Sequence, residues 1–517
     1  MADPVIPASP RAAPVWVPPI EAPLVRPLRP ATARRIVLVA VALGLVIQAL
    51  FLGELLGINV PITIAATLGA GALLAPRPWR MDRADRWLPV AALAFAALIA
   101  IRSNPALVAF DLVAAVALTA ASLASMAGAH VTRRSMAGIA TLVGQGLALG
   151  GGGAYRLASA PRGLRGSGTA IGSTGRGVLV GAGIALPLLL VFGVLFASAD
   201  AVFGRLLAST LDIHLDLGDV PVRLLVAAGA AWVLGGLLVM VVAATQRVRR
   251  SPRGLDLRLG VIEATVALLA IDLLFGAFVA IQAGYLFGGL DTAAATGLGY
   301  AQYARRGFFE LVAVAALAGM VVLGMESLVR DRRLPYRLAA LALIGLTGVV
   351  LLSAGVRMAL YQDAFGWSEL RFFVVAAIAW LALCLVAAAG CIALGRSQAL
   401  PAVVAILGLV VAFGVNVADP GAFIAEQNVR RAIDPGSVPP GGTTGLDTDY
   451  LAGLGADAVP TLVRALPTLP PSERDALSWA LAEQREALVS QAEGTGWASW
   501  NRARAAALDA LTGPDRP

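Results

Sequence analysis

Residues 372–394 read FFVVAAIAWLALCLVAAAGCIAL, twenty-three positions without a charge. The apolar residues do not keep to one stripe at i, i+3, i+4 and i+7, as in a helix half immersed in water; they run all the way round. At 1.5 Å per residue such a helix covers about 35 Å, enough to cross a hydrocarbon core of ~30 Å. Inside that core no backbone amide finds water, so an unbroken helix is the structure that satisfies it.

The pattern repeats outward from this block. A further span is expected from about Leu400 to Val417. Toward the N-terminus lie Leu338–Ala354, Phe308–Val329, Leu259–Ile281, Leu224–Ala244, Val178–Ala197, Leu107–Met126, Leu88–Ile101, a span that follows a short polar gap around Asn59 and ends near Ala75, and Ile36–Leu52. That makes roughly eleven crossings, the 14-residue Leu88–Ile101 borrowing flanking residues to reach across. Met136–Leu149 is weaker and Gly-rich, and reads as an interfacial helix. Composition agrees: 58% of residues are hydrophobic and 14% charged, against about 25% charged in a soluble domain. The expected fold is all-α, a polytopic transmembrane helix bundle with a small C-terminal helical domain outside the membrane.

The ends differ from the middle. Residues 1–33 hold nine prolines and no apolar run, and are expected to be a disordered cytoplasmic tail ahead of a bundle over 34–418. Residues 419–517 carry 13 acids and 8 arginines, a local charge of −5 against +13 for the rest. Two stretches there, 447–466 and 472–488, have helical apolar spacing, with Asp447 or Thr448 and Ser472 as candidate caps. Trp479, Trp497 and Trp500 are expected to pack a small core or touch the membrane surface.

All 40 basic residues are arginine. With the N-terminus inside, inner segments hold 25 of the Arg outside residues 419–517 and outer segments hold 7. The bias predicts a plasma (inner) membrane protein with a cytoplasmic N-terminus and an extracytoplasmic C-terminal domain. The same distribution accounts for a pI near 10.2 without nucleic acid.

The chain lacks the residues of several chemistries. Without lysine there is no Walker A phosphate cradle, and no Gly-x-Ser-x-Gly elbow occurs. His130 and His214 fall on opposite sides of the membrane in this topology, so a histidine-based metal site is not expected. Cys384 and Cys391 share one helix about 10 Å apart by rise and cannot bridge each other. The Gly-rich run at 166–177 follows no strand and reads as a loop. No cofactor is implied.

What remains is polar residues in or beside lipid, which are costly there. Asp272 lies near the middle of its span and Asp111 in the Leu107–Met126 span. Each reads either as a proton or cation relay or as a hydrogen bond between packed helices. Three segments share the outer side in this topology: FASADAVFGR at 196–205, YAQYARRGFFE at 300–310 and RMALYQDAFGWSELR at 357–371. They supply a candidate cluster of Asp200, Arg205, Tyr303, Arg306, Glu310, Arg357, Tyr361, Glu369 and Arg371. Tyr303, Arg306 and Glu310 stand on one helical face, and Arg357 and Tyr361 are i, i+4. The cluster is either charge pairing that locks helix ends or an outward-opening pocket.

These segments carry a resemblance. Ala199–Asp200 with Phe203, the Tyr300–Glu310 string, Arg357–Arg371, Asn416–Asp419, Asp449–Leu451 and Asp457–Pro460 resemble an uncharacterised bacterial family of multi-pass membrane proteins, domain of unknown function 4173, related to 4153. The resemblance implies class and architecture and brings no activity.

Three functions stay open. The first is a cell-envelope binding or assembly protein, whose partners would be the lipid bilayer and an envelope protein or small ligand on the outer face. The second is a proton- or ion-coupled transporter using Asp272, though no internal repeat is evident. The third, ranked last, is a membrane-embedded enzyme using Asp200, Glu310, Asp363 and Glu369 if they converge.

Overall fold

The structure, a computed structural model, describes residues 30–75, 81–133, 220–243, 260–286, 308–329, 333–439 and 442–513. No β-strand occurs among them. Ten apolar helices come first: α1 Pro30–Phe51, α2 Asn59–Leu74, α3 Leu88–Ile101, α4 Pro105–Met126, α5 Val220–Ala243, α6 Val261–Leu286, α7 Phe308–Leu328, α8 Leu334–Phe365, α9 Glu369–Ala393 and α10 Leu400–Ala418. Five shorter or more polar helices follow: α11 Pro420–Ile433, α12 Thr448–Ala452, α13 Val459–Ala465, α14 Pro471–Glu493 and α15 Arg502–Thr512. Seven described helices are long and apolar enough to cross a membrane. The expected Val178–Ala197 and Met136–Leu149 segments and the Gly-rich run lie outside the described residues.

Long apolar side chains point away from the protein. On α6, Val266, Leu273 and Leu274 are 61%, 76% and 70% exposed, whereas Ala264, Leu268 and Phe275 face inward against the α7–α9 core. An outer surface so apolar would aggregate in water; in a bilayer it is the solvent-facing side. Helix α1 packs on α5, and α2, α3 and α4 share a core around Ala92, Phe95, Ile99 and Ala115. Leu409 and Ala412 of α10 pack on that core, and α10 also packs on α9, so α10 joins the two groups of helices.

Helix ends follow local chemistry. Asn104 accepts from the Ala106 and Leu107 amides, and Pro105 starts α4, where its missing N–H costs nothing. Ser368 caps α9, and Asp419 caps α11 from a left-handed conformation at φ 53°. Asp447 caps α12, as one of the two expected candidates. Ser472 does not cap α14, which begins a residue earlier at Pro471, so the proline sets the start. Helix α8 runs to Phe365, eleven residues past the expected end of its span at Ala354. Apolarity marks the length soluble in lipid, but the hydrogen-bonded helix carries on through Arg357 and Tyr361.

Helices α11 to α15 have their own core, in which Ile424, Leu462 and Leu477 are fully buried. Each contributes roughly 1.5–3 kcal/mol. Trp367 and Phe372 of the bundle pack against this core, and the Phe423 ring stands edge-on to Trp367 at 4.8 Å. Trp479, Trp497 and Trp500 stay outside it, all half exposed or more.

Candidate functional site

One group of the described polar residues gathers where this C-terminal domain meets the bundle; another, around the fully buried Asp85, which accepts from Ser125, Val131 and Thr132, lies at the opposite helix ends. Three interhelical turns and the end of α10 all touch the domain, so they share one side of the bundle.

The first turn joins α1 to α2. Asn59, fully buried, shapes it by donating to the Leu50 and Leu55 carbonyls while accepting from the Gly57 amide. Glu54 accepts from the Gly496 amide and the Ser499 hydroxyl, and Leu55 N–H donates to Ser499 Oγ at 2.7 Å. Ile58 N–H donates to the Trp500 carbonyl at 2.9 Å, and Arg504 Nη2 donates to the Leu56 carbonyl at 2.9 Å. Gly57 lies so close that a Cβ would sit 2.4 Å from the Trp500 carbonyl oxygen.

The second turn joins α3 to α4. Asp457 Oδ2 accepts from Ser103 N–H at 2.8 Å, Ser103 Oγ at 2.7 Å and Asn104 N–H at 2.9 Å. Arg102 pairs with Asp419, and its Nη1 lies 3.7 Å from Asp457 Oδ1. Burial pushes the Asp419 carboxyl above its ordinary range, and Arg102 pulls it part of the way back. Asn501 Nδ2 donates to the Ile99 and Arg102 carbonyls.

The third turn joins α8 to α9. Trp367 and Asn428 exchange two hydrogen bonds of 2.9 and 2.8 Å. Gly366 has φ +74°, and a Cβ there would meet Asn428 Oδ1 at 2.5 Å, so both backbone shape and space call for glycine. Arg431 donates to the carbonyls of Gln362, Asp363, Ala364 and Thr443, most of them at the open end of α8. Glu369 accepts from Asn104 Nδ2, tying this turn to the second, and its N–H donates to Tyr450 Oη at 2.8 Å.

Among the candidates named from sequence, Glu369 is thus part of the seam. Arg371 donates to the Phe365 and Gly366 carbonyls and lies 4.2 Å over the Tyr361 ring. Arg357 is half buried, one turn before Tyr361 on α8. Glu310 is exposed at the start of α7, with no hydrogen bond or ion pair to the other described candidates. Asp200, Arg205, Tyr303 and Arg306 lie outside the described residues. The acid–base reading needs convergence, and among the described carboxylates Asp363 is exposed while Glu369 is engaged by Asn104.

Within the bundle, Asp111 Oδ1 accepts from Asn416 Nδ2 of α10 at 3.0 Å. Asp272 is 9% exposed, on the face of α6 that carries Leu268 and Phe275, and neither of its carboxyl oxygens has a hydrogen-bond partner among the described residues. Among the described residues no group of three His, Cys, Asp or Glu side chains comes together to hold a metal ion.

Sequence reasoning missed Arg102, Asn104, Asn428 and Arg431, which make much of the seam. Asp419, Tyr450 and Asp457 did stand in the strings that carry the family resemblance, a signal that these short polar stretches belong together.

A family model described as domain of unknown function (DUF4153) matches residues 89–465, from the start of α3 to the end of α13. The second and third turns fall within the match; the residues that bind the first turn fall outside it. No curated protein and no solved structure matches the chain.

Proposed function

The chain belongs to the family described as domain of unknown function 4153, and from that premise we propose that it is a cell-envelope binding or assembly protein whose bundle holds the C-terminal domain in a fixed pose. One observation carries the reading. The polar side chains at the helix ends, Glu54, Arg102, Asn428, Arg431 and Asp457 among them, are engaged in holding the domain, mostly through backbone groups that cannot turn away. Contacts of this kind fix orientation, which a presenting surface needs and a swinging lid does not. In the proposed topology the domain lies outside the plasma membrane and the N-terminal segment inside. Arginine bias supports this, since Arg83, Arg86, Arg133, Arg333, Arg337 and Arg396 all sit near the helix ends opposite the domain.

A photoreactive amino acid at Trp479, exposed on α14, is compared in living cells with one at the lipid-facing Leu273. Defined protein adducts at position 479 and lipid adducts alone at 273 are expected. Indistinguishable patterns refute the reading.

Asp272 favours a second reading, proton- or cation-coupled transport. A carboxyl group with both oxygens buried and without a partner among the described residues is a group that a proton or cation would satisfy. Asp272→Asn in proteoliposomes then abolishes coupled flux; unchanged flux sinks this role.

A further inference from the structure

Helices α14 and α15 and the Trp497–Asn501 connection line a cavity of about 220 Å³. Leu488, Ala492 and Leu508 line an apolar floor; Trp497, Trp500 and Arg504 stand around it.

Location is the first clue to its occupant. Trp500 and Ser499 sit directly on the turn where α1 ends and α2 begins, through the hydrogen bonds from Ile58 and Leu55. The cavity therefore lies at the membrane surface. Exposure is the second clue. Trp497 is 70% and Trp500 50% exposed at that level, and indoles favour the headgroup layer of a bilayer. Charge is the third. The half-buried Arg504 gives Nη2 to two carbonyls, Leu56 and Ser499, and pairs with no carboxylate among the described residues. Burial draws its guanidinium below the ordinary arginine range. Glu54, beside the same turn, is engaged by Gly496 and Ser499.

The geometry points to a phospholipid site: an anionic glycerophospholipid seats its phosphate on Arg504, its glycerol region beside Trp497 and Trp500, and the start of an acyl chain on the Leu488–Leu508 floor. The planar guanidinium suits phosphate oxygens. Gln491 and Thr495 also line the cavity, but Leu488, Ala492 and Leu508 give it apolar surface that an acyl chain would cover and a free phosphate would not, which favours a lipid over a soluble anion. The domain around the cavity has a net charge of −5, so attraction must come from this one cation and not from a diffuse positive surface.

Native mass spectrometry on the full chain in neutral detergent, with equal phosphatidylglycerol and phosphatidylcholine, tests this. Retention of one phosphatidylglycerol at about tenfold preference is expected, a difference well inside the range of a charge-assisted contact. Arg504→Gln should bring the two lipids to parity. Arg485→Gln, at an exposed position of α14, should not. Millimolar inorganic phosphate should leave the lipid in place. Because Arg504 also holds the first turn, a Trp497→Phe, Trp500→Phe double variant supplies an independent readout. Brominated phosphatidylglycerol should quench wild-type fluorescence more than brominated phosphatidylcholine, and the double variant should lose that excess. Equal retention by wild type, preference surviving Arg504→Gln, loss in Arg485→Gln, displacement by phosphate, or an excess quench unchanged in the double variant each overturns the proposal.

Discussion

Asp457→Ala tests whether the seam is held by hydrogen bonds at the α3–α4 turn. The carboxylate side chain is 2% exposed and accepts three bonds of 2.7–2.9 Å. The Ser103 hydroxyl can rotate to another acceptor, but the Ser103 and Asn104 amides cannot. Each buried N–H left unpaired costs roughly 1–3 kcal/mol. Arg102 keeps Asp419, so no bare charge is added. Water entering the gap holds the total toward the lower end, about 3 kcal/mol, which corresponds to a rise of ~150-fold in the open population. Asp457→Asn keeps an acceptor oxygen and loses only the charge, about 1 kcal/mol or ~5-fold. Hydrogen exchange of the Ser103 and Asn104 amides in nanodiscs reads these populations directly. A change below about fivefold in the alanine variant refutes the assignment. So does an asparagine variant as open as the alanine one, because charge alone would then be holding the turn.

Gly57→Ala places a methyl group 2.4 Å from the Trp500 carbonyl oxygen and 2.6 Å from that of Ser499, so backbone must shift. A loss of about 2 kcal/mol is expected, seen as earlier proteolysis near 496–504. Docking raises the Asp419 carboxyl above its ordinary value of 3.8 because burial disfavours the charge. The docked state then binds the proton more tightly, so this group's contribution is full below the unfolded value and is lost as pH rises through the raised one. Asp419→Asn should remove that part of the pH dependence of docking, measured by the same exchange method; an unchanged profile contradicts the sign. Asp272→Leu replaces a buried carboxyl that has no hydrogen-bond partner among the described residues by an apolar side chain and should raise the thermal midpoint, by the equivalent of about 1–3 kcal/mol; a lower midpoint shows that the carboxyl has a stabilising partner.

The bundle was legible because lipid imposes a coarse rule: blocks such as 372–394 must be apolar all round, so helices α8 to α10 could be placed within a turn or two wherever lipid set their limits. Where water set them, as at Phe365, composition could not tell helix from loop. The seam was mostly illegible for a different reason. Asp457 meets Ser103, and Ser499 meets Glu54, across more than 350 and 440 residues, and no local periodicity encodes such pairing. Glu369 and Arg371 were visible as polar residues at a span boundary, but their partners Asn104 and the α8 carbonyls follow only from the packed arrangement.

The separation of 444 residues between Leu55 and Ser499 has a consequence for synthesis. A ribosome adds about 5–20 residues per second, so the α1–α2 turn waits roughly 20–90 s for the segment that completes it. Throughout that interval Glu54, Leu55 and Ile58 present open hydrogen-bonding groups at the membrane surface. A chain stopped before residue 496 never closes them. The turn is therefore complete only once residues 496–500, which seal it from close to the far end of the chain, have been made.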